Sequence, residues 1–228
     1  MRTIKEQVET AILENIKRDG HKEIIKFLAE SDFYDAPAST QFHGVNPGDL
    51  ARHSLSVYNI LKNKNADYEL GYSDETIAIS GLFHDLCKVN FYKEKPTEPA
   101  TDAQLRYLES LSGINFKEKN VTKDIASKLI EQYKNNIPGV TVDMDAKSWI
   151  VEDMLPMGHG EKSVYIVNKF MQLKDEEALA IRWHMAMFDP GVHFNYPSGY
   201  PFRHASEDYP LLAALFTSDY EADKLLKI

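Results

Sequence analysis

Apolar positions recur at three- and four-residue intervals through most of the chain, which is the spacing of amphipathic helices rather than strands. Ile4, Val8, Ala11, Ile12 and Ile16 share one face over Ile4 to Lys17, and a second helix is predicted from about His21 to Glu30, after the Asp19-Gly20 break. The segment FYDAPASTQFHGVNPGD is rich in turn residues and predicts a loop. From about Pro47 to Lys64 a helix carries Leu50, Val57, Ile60 and Leu61 inward, with Pro47 suited to a first turn, where a missing N–H costs nothing. Ser73 precedes Asp74, Glu75 and a strongly apolar run to Leu86, the pattern of an N-capped, buried helix.

After the Pro-broken stretch YKEKPTEPATD, helical periodicity resumes near Asp102 and again from Val121 to Tyr133. Between Val140 and Asp153, β-branched residues on either side of Asp-Ala-Lys predict a small hairpin. Helices are expected again at about Glu161 to Leu173, Lys174 to Met187 and Tyr209 to Leu226, the last two separated by the aromatic loop DPGVHFNYPSGYPFRHASED. No repeat, low-complexity tract or Gly/Ser linker interrupts the pattern. The expectation is one all-α domain over residues 1–228, a helical bundle preceded by the N-terminal helices 4–30, with one small β-hairpin.

Composition narrows the class. At 228 residues, 43% hydrophobic and 27% charged, the chain can bury a full core and needs no metal or disulfide merely to fold. Cys87 is the single cysteine, which excludes an internal disulfide and a thiolate metal cage and points weakly to the cytosol. The longest apolar stretch, Leu211 to Phe216, is far too short to span a bilayer, and the charged N-terminal stretch lacks a secretory apolar region. A cytoplasmic protein with no membrane partner is expected. The net charge of −9 disfavours long nucleic acid as a partner, but not a small anionic substrate held by a metal.

Ionisable residues stand where the helical pattern calls for apolar ones. His84 and Asp85 close the most hydrophobic helix; His53, His184 and Asp219 each share a face with core aliphatics. Burying an unpaired carboxylate is expensive, and several helices each pointing one such side chain inward is how a bundle builds a metal site. A single inward histidine is more often a hydrogen-bonded core residue, so the joint pattern carries the argument. Adjacent residues on a helix point about 100° apart, so His84 and Asp85 can serve one centre only at a helix end or distortion.

The ordered set His53, His84-Asp85 and Asp219 resembles the H…HD…D signature of the HD-domain metal-dependent phosphohydrolase superfamily. It does so in the strings ARHSLSVYNIL, ISGLFHDLCKVNFY and ALFTSDYEAD, within roughly Pro37 to Asp223. His159 in PMGHGEKSVYIV and His184 in IRWHMAM stand where the binuclear branch carries two further histidines. The stretch APASTQFHGVNPGDLARHSLSV is also similar to the HD part of bacterial 3′–5′ exoribonucleases, with Pro47-Gly48-Asp49-Leu50 in place of a Gly-Gly-Leu pattern.

That resemblance implies an HD-type helical bundle and one or two divalent ions held by His53, His84, Asp85, His159, His184 and Asp219. Asp85 would bridge them and a metal-activated water would be the nucleophile. Imidazole and carboxylate ligands suit Mn, Fe, Co, Ni, Zn or Mg and do not choose among them. Lys88, one turn beyond His84, is expected to neutralise a phosphoryl oxygen, although a solvated helix-end lysine is an equal reading. Arg182, Trp183, Tyr196 and Arg203 are candidates for binding substrate; so is the aromatic loop that includes Phe188, against the alternative of core packing or a lid. Cys87 is expected to be an inert buried thiol.

The implied activity is hydrolysis of a phosphate ester or anhydride in a nucleotide or short oligonucleotide. A 3′–5′ exonuclease on single-stranded nucleic acid and a non-catalytic nucleotide-binding regulatory module are the alternatives.

Overall fold

The structure, a computed structural model, describes residues 2–40, 44–117, 119–135, 147–193 and 196–227, and the side chains of all of these except 193 and 196–200. It is mainly helical. The elements are α1 (Ile4–Asn15), α2 (His21–Glu30), α3 (Asp49–Asp67), α4 (Asp74–Phe83), β1 (Tyr92–Glu94), α5 (Asp102–Ser112), α6 (Lys123–Lys134), β2 (Trp149–Val151), α7 (His159–Asn168), α8 (Asp175–Trp183), α9 (Pro190–His193), α10 (Tyr196–Asp208) and α11 (Pro210–Glu221). Two short 3₁₀ turns, Leu86–Lys88 and Ala186–Phe188, follow α4 and α8, and a π-turn, Ala222–Leu226, ends α11.

The chain forms two compact units, Met1–Tyr92 with Val151–Ile228, and Lys93–Ile150. In the smaller unit α5 packs on α6 around Leu108, Phe116, Val121, Ile125, Ala126 and Leu129. Its first boundary falls at the start of the Pro-broken stretch YKEKPTEPATD. The expected hairpin forms differently: Trp149–Val151 is a strand, but it pairs with Tyr92–Glu94, far back along the chain. The other expected arm lies among residues 136–146, outside the described residues.

The larger unit is built on α3, which packs along α4 and α11; α8 lies against α4, α7 and α11, and α1 against α3 and α4. Leu50, Val57 and Leu61 of α3 meet Ile77, Ile79, Leu82 and Phe83 of α4 and Leu211, Leu212 and Leu215 of α11 in one buried core. Each such side chain contributes about 1.5–3 kcal/mol when fully removed from water. Two glycines set the closest helix approaches. A Cβ on Gly81 would lie 2.6 Å from Tyr58 Cα, and one on Gly160 would lie 2.0 Å from the Arg182 carbonyl oxygen, so α4 meets α3 and α7 meets α8 backbone to backbone.

Local chemistry explains several ends. Ser73 caps α4 as its position foretells, its hydroxyl accepting from Thr76 N–H at 3.2 Å. Pro47 precedes α3 instead of opening it: Asp49 takes the Asn46 N–H at 2.8 Å, and that turn fixes the start at Asp49. The aromatic stretch expected as a loop is largely helical, α9 and α10, with Pro201 inside α10. There the abundance of Pro, Gly and Ser outweighs periodicity in the sequence but not in the fold.

Candidate metal centre

The ends of α4 and α8 are built alike. Each helix stops at a histidine whose Nδ1–H donates back to a carbonyl three residues earlier, His84 to Gly81 at 2.9 Å and His184 to Ile181 at 2.7 Å. Each then enters a 3₁₀ turn. Lys88 N–H reaches Asp85 O and Val89 N–H reaches Leu86 O; in the second copy Phe188 N–H reaches Met185 O and Asp189 N–H reaches Ala186 O. The carbonyl partner fixes the proton on Nδ1, leaving Nε2 of both rings as a lone pair aimed inward. The change of helix type also answers the geometric difficulty of an adjacent His-Asp pair: Asp85 has left the α-helix (φ −107°, ψ 19°), and its carboxylate comes round to the His84 side.

Six side chains converge there. Asp85 Oδ2 lies 3.6 Å from His53 Nε2 and 3.5 Å from His84 Nε2, while Asp85 Oδ1 accepts from His159 Nε2 at 2.8 Å and faces His184 Nε2 at 3.5 Å. Asp219 Oδ1 closes the ring, 3.0 Å from His53 Nε2 and 3.9 Å from His84 Nε2. Lys88 Nζ sits 2.7 Å from Asp85 Oδ2. His53, His84, Asp85 and His184 are buried; Asp219 and His159 are partly open.

Electrostatics bear on what such a cluster can hold. Burial opposes the charge of Asp85, yet Lys88, His84, His159 and His184 together hold its carboxyl well below the usual range. Asp219 is likewise held low against burial, by its hydrogen bond to His53. Both are therefore ionised. On the other side, burial pushes His84 down to about 4 and lowers His159 despite Asp85. His53 is raised, the Asp219 bond and the two carboxylates outweighing burial. His184 is raised as well, its interaction with Asp85 outweighing burial. The two carboxylates thus face two imidazoles that burial keeps neutral and two that they draw toward protonation, and a divalent cation in their place would balance the same negative charge.

A second sign is His184 Nε2, which is buried and has no well-formed hydrogen bond among the described residues, its nearest charged neighbour being Asp85 Oδ1 at 3.5 Å. A buried polar atom left this loosely paired is costly unless something else binds it. Three sets, His53/His84/Asp85, His84/His184/Asp219 and Asp85/Cys87/His159, place their ligand atoms within 4.8 Å of one another. The residues fit a metal: the cluster could hold one ion, and Asp85 presents one oxygen to each histidine pair.

The cluster opens into a cleft of about 570 Å³ lined by His53, Lys88, His159, His184 and Asp219. Ser39, Tyr92, Met185, Phe188, Phe216 and Tyr220 line it too, and of these Phe188 and Tyr220 are the exposed ones. Three expected substrate residues are elsewhere. Arg182 is bound to Glu161 and to Asp189 (2.7 Å) and lies over the Trp183 ring at 3.8 Å. Trp183 is buried against Phe202, and Arg203 is exposed and pairs with Glu207. Two acids and an indole bind Arg182 more closely than the cleft, which is why it turns away. The Tyr196 side chain lies outside the described residues.

Cys87 is a buried thiol, as expected, pushed up to about 12 by burial and by Asp85 beside it, and its Sγ lies 3.3 Å from His159 Nδ1. Phe216 and Tyr220 were legible from Asp219, three residues before it and one after; Tyr92 had no signal, since the chain reaches the cleft only by leaving the Lys88 turn for β1. The chain matches no protein-family model, no curated protein and no solved structure.

Proposed function

We propose that this chain is a metal-dependent phosphohydrolase acting on a phosphate ester or anhydride of a small substrate, a nucleotide or short oligonucleotide, with an HD-type metal centre. The observation that carries the reading is the convergence of four imidazoles, two ionised carboxylates and one lysine, of which His53, Lys88, His159, His184 and Asp219 line an open cleft and His84 and Asp85 lie buried beside them. His53, His84 and Asp219 would hold one ion and His159 and His184 a second, with Asp85 between them. Bound there, a divalent ion of the Mn, Fe, Co, Ni, Zn or Mg group would supply Lewis acidity and an activated water.

The chain's own residues do the rest. The carbonyl of Gly81 fixes the tautomer of His84 and burial keeps that ring neutral, so no proton has to leave its Nε2 on binding; the carbonyl of Ile181 orients His184 in the same way. Lys88, whose charge Asp85 secures against burial, stands on the cleft wall where a phosphoryl oxygen gains negative charge. The acidic chain favours small phosphates over long nucleic acid as substrate. The test is purified protein with added Mn²⁺ on a panel of mononucleotides beside labelled single-stranded RNA and DNA, with a chelator control. Turnover of mononucleotides that the chelator abolishes supports the reading. Release of mononucleotides from the labelled strands alone favours an exonuclease, and binding without turnover favours a regulatory module.

A further inference from the structure

Aromatic side chains at the mouth of the cleft are exposed side by side, and a contiguous apolar patch, unlike scattered exposed rings, marks a place where something binds. Phe188 is 62% exposed and Tyr220 45% exposed. Their rings are parallel to within 8°, with centroids 6.3 Å apart, and Phe216 abuts Tyr220 at 6.1 Å. Neither ring is placed independently of the cluster. Phe188 closes the 3₁₀ turn that begins beside His184, and Tyr220 follows Asp219 on α11. In the twin turn after α4 the position matching Phe188 is Lys88, so the two turns present a cation and an aromatic ring to the same cleft.

We infer that Phe188 and Tyr220 form a seat for the planar base of a nucleoside phosphate, making the base, and not only the phosphate, a determinant of substrate choice. This rests on the phosphohydrolase reading above for the phosphate end of the ligand. The cleft volume of about 570 Å³ falls within the range of small-ligand sites and accommodates a single nucleotide. Stacking is tolerant of base identity, because every base offers a π-face. The seat therefore selects for an aromatic group at a fixed distance from the phosphate rather than for one particular base. Lys224 lies 5.9 Å from the Tyr220 ring centre and pairs with Asp223, so the open edge of the seat carries polar groups that can meet base or sugar edges.

The test separates the seat from the chemistry. Calorimetry of metal-free protein with adenosine and with ribose needs neither phosphate nor metal; adenosine should bind and ribose should not. Phe188→Ala and Tyr220→Ala should each weaken adenosine binding by roughly ten-fold, and Phe188→Trp should keep it. In the Mn²⁺-loaded protein the ratio of kcat/KM for adenosine monophosphate over ribose 5-phosphate should fall in both alanine variants. Equal binding of adenosine and ribose, or adenosine binding unchanged in both alanine variants, overturns the seat. Adenosine binding that depends on the two rings, in a protein that hydrolyses neither phosphate, upholds the seat and overturns the hydrolase reading instead.

Discussion

Lys88 Nζ lies 2.7 Å from Asp85 Oδ2, the same carboxylate oxygen that faces His53 and His84. The pair sits at the junction of α4 and its 3₁₀ turn, where the ammonium is on the cleft wall and the carboxylate is buried. Lys88→Ala should lower hydrolysis by ~10²–10³-fold, the size of one lost transition-state contact, while metal content stays intact. Steady-state kinetics beside elemental analysis of the same sample check both halves. Loss of metal in Lys88→Ala would make the lysine a support for Asp85 rather than a contact to phosphate.

Asp85→Ala should act on everything at once. It removes a carboxylate that turns one oxygen to the His53/His84 pair and the other to the His159/His184 pair. Hydrolysis should fall by several orders of magnitude, as when a metal site loses its organising ligand. Near-normal turnover in a kinetic assay would remove Asp85 from the chemistry.

Much of the centre was legible because ionisable residues at helical core positions violate the apolar pattern: His53 within α3, His84 and His184 at helix ends, Asp219 within α11. What sequence spacing does not encode is the turn after each of those ends, which depends on a histidine donating to its own helix and brings Asp85 and Lys88 round. Arg182 flanks His184 in sequence and Arg203 lies in the aromatic stretch, but spacing does not show that local acids bind both. The second arm of the small sheet was illegible because β2 finds its partner at Tyr92–Glu94, a pairing that no local turn signal announces.

Gly160 follows the ligand candidate His159 and lets α7 meet the α8 backbone. Gly160→Ala puts a methyl group 2.0 Å from the Arg182 carbonyl oxygen, so α7 must move. The expected cost is about 1–3 kcal/mol of stability, measured by urea unfolding, together with weaker metal retention through displacement of His159. A stability equal to wild type would show that α7 is not held where the Gly160 contact puts it.

Away from the centre, Glu75 makes acid sensitivity predictable in sign. Its carboxylate accepts from Lys17 N–H and Arg18 N–H at 2.9 Å each and pairs with Arg18. Burial opposes its charge, but those donors win and its pKa lies below the ordinary 4.5. A carboxyl depressed on folding contributes stability above its unfolded pKa and loses it as pH falls through the folded value. Urea unfolding between neutral pH and strongly acid pH should therefore show a smaller loss of stability on acidification for Glu75→Gln than for wild type, from a lower starting point. Parallel curves would mean that Glu75 carries no linkage.

The central claim, that the His/Asp cluster is a divalent-metal centre, is tested most directly by metal stoichiometry. Protein saturated with Mn²⁺ and then desalted should retain one or two ions per chain by elemental analysis, and Asp85→Asn, shown by circular dichroism to be folded, should retain fewer. Retention of no ion by the wild type, or of the same number by folded Asp85→Asn, would contradict it.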